Sequence, residues 1–126
     1  MPETLDVVLV VDDMAVAAAL KFLLEVEGMT VGLSDSQRAV SADPRLTLCR
    51  CIVVDNATAT IEGIVLVEKL RARRIAVPVI LLTSRLSAEL RRRSARAGIN
   101  DLLQTPILDR SLVDAVGLAL AEGSHT

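Results

Sequence analysis

The sequence predicts a doubly wound α/β sandwich: a five-stranded parallel sheet with five helices packed on its two faces. Three observations carry that reading. Short aliphatic runs punctuate the 126 residues at 7–11, 29–33, 51–54, 77–82 and 102–103. The first, third and fourth do not alternate with polar residues, which is how strands buried on both faces read. Each run is followed by a segment with helical spacing, so the order is strand then helix, five times over.

Each element has its own warrant. The first run, Val-Val-Leu-Val-Val, is a central strand. Residues 14–27 are rich in Ala and Leu, carry Val16, Leu20, Leu23 and Leu24 on one side, and stop at Gly28, a C-terminal cap. After the strand at 29–33, a short, weak helix over 36–42 is closed by Asp43-Pro44, because the residue before proline avoids helical backbone. The third strand, Cys-Ile-Val-Val, leads to a helix over 63–73 with Ile64, Val67 and Leu70 at helical spacing. The fourth, around Val-Ile-Leu-Leu, precedes a helix over 87–97 that carries Leu90 and ends at Gly98. The short fifth strand leads to a helix over 108–121, apolar around much of its circumference and followed by Gly123.

Composition bounds the function. Apolar residues make up 52% of the chain, enough to bury a core, yet Phe22 is the only aromatic. The longest apolar run, 14–20, is stopped by Lys21, well short of the roughly 18 residues a membrane span needs. No aromatic platform exists for single-stranded nucleic acid, and 14 basic against 16 acidic residues give no global pull toward nucleic acid or an anionic membrane. A basic region followed by an apolar stretch is missing from the N-terminus, so a cytoplasmic setting is expected. Cys49 and Cys51 are too close for an ordinary bridge and read as reduced strand residues. The only histidine, His125, lies in the polar tail, which argues against a metal site at Cys-Arg-Cys and removes Ser-His-Asp and Cys-His chemistry. With no repeat or linker, the expectation is one domain over residues 1–126, with a core at about 5–121.

The chemistry-bearing residues follow the central strands. The first ends in Asp12-Asp13, the third in Asp55 and the fourth in Thr83. Open α/β sheets bind ligands outside the carboxyl ends of their strands, where strand order reverses. The predicted fold therefore gathers three carboxylates and a hydroxyl at one crevice. Crowded carboxylates resist ionisation unless a cation neutralises them, and an all-oxygen set suits Mg²⁺. The bland reading is that each acid caps the helix that follows it.

With these residues in place, the chain resembles the receiver domain of two-component response regulators over essentially its whole length. The matching pieces are Val-Val-Asp12-Asp13, Val-Val-Asp55, Glu62-Gly63 where the family has Asp-Gly, the stretch from Val77-Pro78 to Thr83, and Ala97-Gly98-Ile99-Asn100-Asp101. The resemblance implies a flavodoxin-like receiver fold and a signalling protein rather than a metabolic enzyme. By it, Asp55 is the phosphoacceptor, Asp12 and Asp13 position Mg²⁺, and the third protein ligand is the backbone carbonyl of Ala57. Thr83 would bond the arriving phosphoryl group and act as the switch. A sensor histidine kinase or a histidine phosphotransfer protein is the implied partner.

Departures from the family pattern are equally specific. Thr105-Pro106 stands where the family has Lys-Pro, so the ammonium that pairs with the phosphoryl group is missing. Such a partner about 4 Å away is worth several kcal/mol in a partly desolvated site. Leu102 replaces the switch aromatic, and the stretch after Asp55, Asn56-Ala57-Thr58-Ala59, lacks the usual Met-Pro turn. The chain reads as a degenerate receiver, either phosphorylated with altered readout or a phosphorylation-independent interaction module. Arg85 is a candidate compensating cation. Clustered arginines, including Arg71, Arg91, Arg92, Arg93 and Arg96, read as wet helix faces more than as a nucleic-acid surface. If the gene product ends with this sequence, output is expected through protein contacts. The surplus apolar surface of the last helix suggests a homodimer or a docked protein there.

Overall fold

The computed structural model describes residues 5–40, 43–56 and 62–123. Its strands are β1 (Val7–Val10), β2 (Val31–Ser34), β3 (Cys51–Asp55), β4 (Val79–Thr83) and β5 (Asp101–Gln104). The helices are α1 (Met14–Val26), α2 (Ser36–Val40), α3 (Arg45–Leu48), α4 (Gly63–Ala72), α5 (Ala88–Ala97) and α6 (Ser111–Gly123). All strand pairs are parallel, in the order β2-β1-β3-β4-β5. The chain moves outward from β1 to β2, then crosses back to β3, so β1 and β3 flank the point where winding reverses.

Every residue of β1, β3 and β4 is buried. Their side chains alternate between two cores. Val7, Leu9, Cys51, Val53, Ile80 and Leu82 meet Ala17, Leu20 and Leu24 of α1 and Leu112, Val113, Val116 and Ala119 of α6. Val8, Val10, Ile52, Val54, Val79 and Leu81 face the remaining helices through Leu46, Ile64, Leu66, Val67 and Leu70. Burial of this kind is worth about 25 cal/mol per Å² of apolar surface and supplies most of the drive for folding.

The structure adds α3 to the five helices expected. Pro44 does not end helical structure; it caps α3, with Asp43 Oδ1 accepting a hydrogen bond from Arg45 N at 3.0 Å. Arg45 returns a fork to Asp43 and donates to Leu33 O at 2.6 Å, tying this turn to β2. That guanidinium holds the Asp43 carboxyl down at about 2. Gly28 and Gly98 end α1 and α5 at φ +88° and +86°, the left-handed conformation for which glycine is suited.

Candidate functional site

Strand register builds the site. Val10 pairs with Val54, so Asp55 ends its strand level with Val11 and next to the turn carrying Asp12 and Asp13. On its other side Asp55 pairs with Leu82, one residue before Thr83. Asp55 is only 3% exposed and Thr83 5%, unusual burial for such groups. Asn56 follows, its Oδ1 accepting a hydrogen bond from Gly63 N at 2.6 Å, which ties the residue after Asp55 to the start of α4. Gly63 makes room for this bond: a Cβ would stand 2.6 Å from Leu81 Cδ1 and 2.8 Å from Asn56 Oδ1, so those side chains would have to shift. In the sequence Asn56 counts only as the first residue of a stretch that lacks the Met-Pro turn, and nothing there signals its side-chain bond to Gly63.

The two acids after β1, expected beside Asp55, each bond the start of a helix. Asp12 turns to the next loop, where Ser36 N and Ser36 Oγ donate to it at 2.9 to 3.1 Å. Asp13 is the N-cap of α1, its Oδ1 accepting from Ala15 N at 2.9 Å and Val16 N at 3.1 Å. Orphan amide donors at helix starts draw both acids, as the capping reading has it. Among the described residues, no group of three or more His, Cys, Asp or Glu side chains is disposed to hold a metal. Ala57 lies outside the described residues.

The remaining positions are placed individually. Thr83 Oγ1 donates to Arg85 O at 3.2 Å and accepts from Arg85 N at 3.3 Å, so the hydroxyl is held by its own loop. The Arg85 side chain is exposed and makes no hydrogen bond or ion pair among the described residues. Thr105 N donates to Thr83 O at 2.7 Å, and the Thr105-Pro106 peptide is cis. Leu102 is half-buried against the second core and borders a notch of about 180 Å³ with Ser94, whose buried Oγ has no hydrogen-bond partner. Arg71 does not belong to a wet basic patch. Its guanidinium donates to Ile75 O, Val77 O and Gly98 O at 2.7 to 2.8 Å, locking α4 to the turn after α5.

A groove of about 730 Å³ opens beside Asp55. One wall is α1, through Val16, Ala19, Leu20, Phe22, Leu23 and Val26; the other is Thr105, Pro106 and Ile107. Asp55, Leu82 and Ser84 complete it. Helix α1 thus exposes more large apolar side chains than α6. Helix α6 buries Leu112, Val113, Val116 and Ala119, leaving Leu118 as its large exposed apolar side chain. By contrast Met14, Phe22 and Val26 of α1 are 75%, 70% and 66% exposed.

A parallel, doubly wound sheet with an acidic residue at the strand end on each side of its reversal point defines a class: the receiver-type α/β domains. The match to the family model for the response regulator receiver domain covers residues 7–117, and the chain belongs to that family. It is 34% identical to the transcriptional regulatory protein FixJ of Azorhizobium caulinodans, over 99% of this chain and 59% of that protein. Identity to the transcriptional regulatory protein TdiR of Thauera aromatica is 33%, over 90% of this chain and 51% of the relative. The chain thus spans little more than half the length of these relatives. The receiver domain of the Francisella response regulator 1452 superposes with a TM-score of 0.83 at 25% identity, covering 94% of this chain and 98% of that one. Receiver domains of this family are signalling proteins, not metabolic enzymes.

Proposed function

We propose that this chain is a response regulator that accepts a phosphoryl group on Asp55 and signals by protein contacts. The observation that carries the reading is Asp55 itself: a buried carboxylate at the winding reversal, open to a groove and one strand away from the Thr83 hydroxyl. A carboxylate oxygen of Asp55 attacks phosphorus in line, and the donor departs with its bonding electron pair. Such transfers depend on positioning and charge neutralisation more than on covalent help. Thr83 would leave its Arg85 contacts to donate to the new phosphoryl oxygens, drawing its loop toward Asp55.

Mg²⁺ suits the oxygen donors, and it would supply neutralisation of the charge gathered at the phosphoryl group. Asp12 and Asp13, with the Ala57 carbonyl, are the groups that would hold it beside Asp55. Arg85 is the cation we assign to the role left open by Thr105, since no described bond must break for its side chain to turn inward. A sensor histidine kinase or histidine phosphotransfer protein is the phosphodonor, docked on the exposed apolar side of α1. Residues 1–126 form one receiver unit in the cytoplasm; among the described residues no helix is long and apolar enough to cross a membrane.

A second reading, a phosphorylation-independent interaction module, is favoured by the engagement of Asp12 with Ser36 and by Thr105 in the lysine position. One experiment separates the two. Incubation with Mg²⁺ and a small acyl phosphate, or with a phosphorylated kinase partner, is followed by intact mass for wild type and Asp55→Asn. Gain of one phosphoryl group in wild type alone establishes the phosphoacceptor, and Arg85→Ala should then shorten its lifetime. No gain from any donor leaves the interaction module.

A further inference from the structure

We infer that the outer face of α4 and α5 is a docking surface for a short acidic protein segment, one rich in Asp and Glu. Charge is divided unevenly along the chain. Residues 62–98 hold nine basic and three acidic residues, while the rest of the sequence holds five and thirteen. One stretch is thus at a formal +6 and the remainder at −8. Helices α4 and α5 pack on the sheet face opposite α1 and α6. Their far ends meet, since Arg71 in the last turn of α4 donates to Gly98 O just past α5 at 2.7 Å. Lys69 and Arg74 stand at that end of α4, Arg96 in the last turn of α5, and Arg91 and Arg92 about a turn before it. All five are exposed, and none has an ion-pair partner among the described residues.

Fold stability does not account for these cations. Arg92 and Arg96 are four apart on α5, a spacing at which like charges repel. The helix dipole favours a cation in the last turn, as with Lys69 and Arg96, but gives nothing to Arg91 and Arg92 nearer the start. Arg74 is more telling. Helices α1 and α5 are followed by glycines at positive φ, whereas α4 is followed by Arg74 at φ +62°, a conformation that strains an L side chain. A carboxylate-rich segment meets this surface charge for charge, and guanidinium groups grip carboxylates in a two-bond fork. A long nucleic acid suits it less. It would run past the patch onto a body at −8, and no aromatic residue lies within 62–98 for a base to stack on.

The inference rests on the reading that the chain signals by protein contacts, but not on phosphorylation of Asp55. A segment docked here leaves the groove between α1 and the β5–α6 loop open on the other face, so a phosphodonor and this partner can bind together.

The probe is fluorescein-labelled octaglutamate, followed by fluorescence anisotropy with the full chain at about 0.1 M salt, where charges more than about 10 Å apart are largely screened. It should bind, and more weakly as salt is raised. Arg92→Glu combined with Arg96→Glu should weaken it at least about tenfold. Lys21→Glu combined with Arg110→Glu makes the same change in net charge outside this face and should stay within about twofold of wild type. Arg74→Gly should weaken binding about threefold without lowering the thermal midpoint, because glycine accepts the positive φ. Circular dichroism confirms that each variant is folded. The inference is overturned if octaglutamate does not bind, if the control pair loses as much as the α5 pair, or if the α5 pair and Arg74→Gly both bind as wild type does. Tighter binding of a labelled single-stranded DNA or RNA of equal charge also overturns it, in favour of a nucleic-acid surface. Phosphoryl gain by intact mass is scored separately, so failure here is distinguishable from failure of the phosphoacceptor reading.

Discussion

Helices α1 and α6 have the same length, 13 residues, lie on the same side of the sheet and draw on the same aliphatic alphabet. They use it differently. Helix α6 turns Leu112, Val113, Val116 and Ala119 inward and shows Asp114 and Glu122 to water. In α1, Ala17, Leu20 and Leu24 suffice for the sheet, while Met14, Phe22 and Val26 face out along one side. A helix that is apolar all round is normally buried all round. The core asks no more of α1 than of α6, so its outward apolar residues answer to something outside the fold.

The largest expected effect tests the inward half of that comparison. Leu112→Ala, at a fully buried site, should lower stability by about 3 kcal/mol in urea denaturation followed by circular dichroism. A control comes from the opposite face of the sheet. Asp43 is depressed from 3.8 to about 2 by Arg45, so its contribution is complete above the unfolded value and is lost as pH falls through about 2. Asp43→Asn should therefore cost roughly 1–2 kcal/mol near neutrality and flatten the fall in stability between about pH 4 and pH 2. The same acid profile should survive any change on α1. Phe22→Ser is the smallest in stability, within about 0.5 kcal/mol of wild type, because the ring leaves no cavity behind it. Its effect should be seen in slower phosphotransfer from a kinase partner. If Phe22→Ser unfolded the chain as readily as Leu112→Ala, the contrast between the two helices would collapse.

How much of this was legible in the sequence follows from what periodicity measures. Unbroken runs such as Val-Val-Leu-Val-Val can only be strands covered twice, so β1, β3 and β4 and their strand-end acids were readable. Gly28 and Gly98 marked helix ends because the reversal needs positive φ. Hydrophobic spacing does not say how wide a stripe a sheet can cover, so Leu23 was placed with Leu24 although it lines the groove. Pro44 forbade helix at the residue before it, but a cap position accepts proline, and α3 starts there. Asp12 carried two uses, ligand and cap, and its bonds from Ser36 depend on a residue 24 positions away that sequence spacing does not bring near. Arg71 counted as surface charge because sequence cannot show three carbonyls converging at the end of α4.

The two cysteines have a use that follows from their places in the fold. Cys49 caps the end of α3 and Cys51 opens β3, so only the second is the strand residue the sequence suggested; both are buried, and burial pushes their thiols up to about 11 and about 12. Thiolate is the reactive species, so alkylating reagents at neutral pH meet an inert protein until the central strand is exposed. In a chain without Trp or Tyr, labelling at Cys51 becomes a clock for opening of the sheet, while labelling at Cys49 times release of the end of α3.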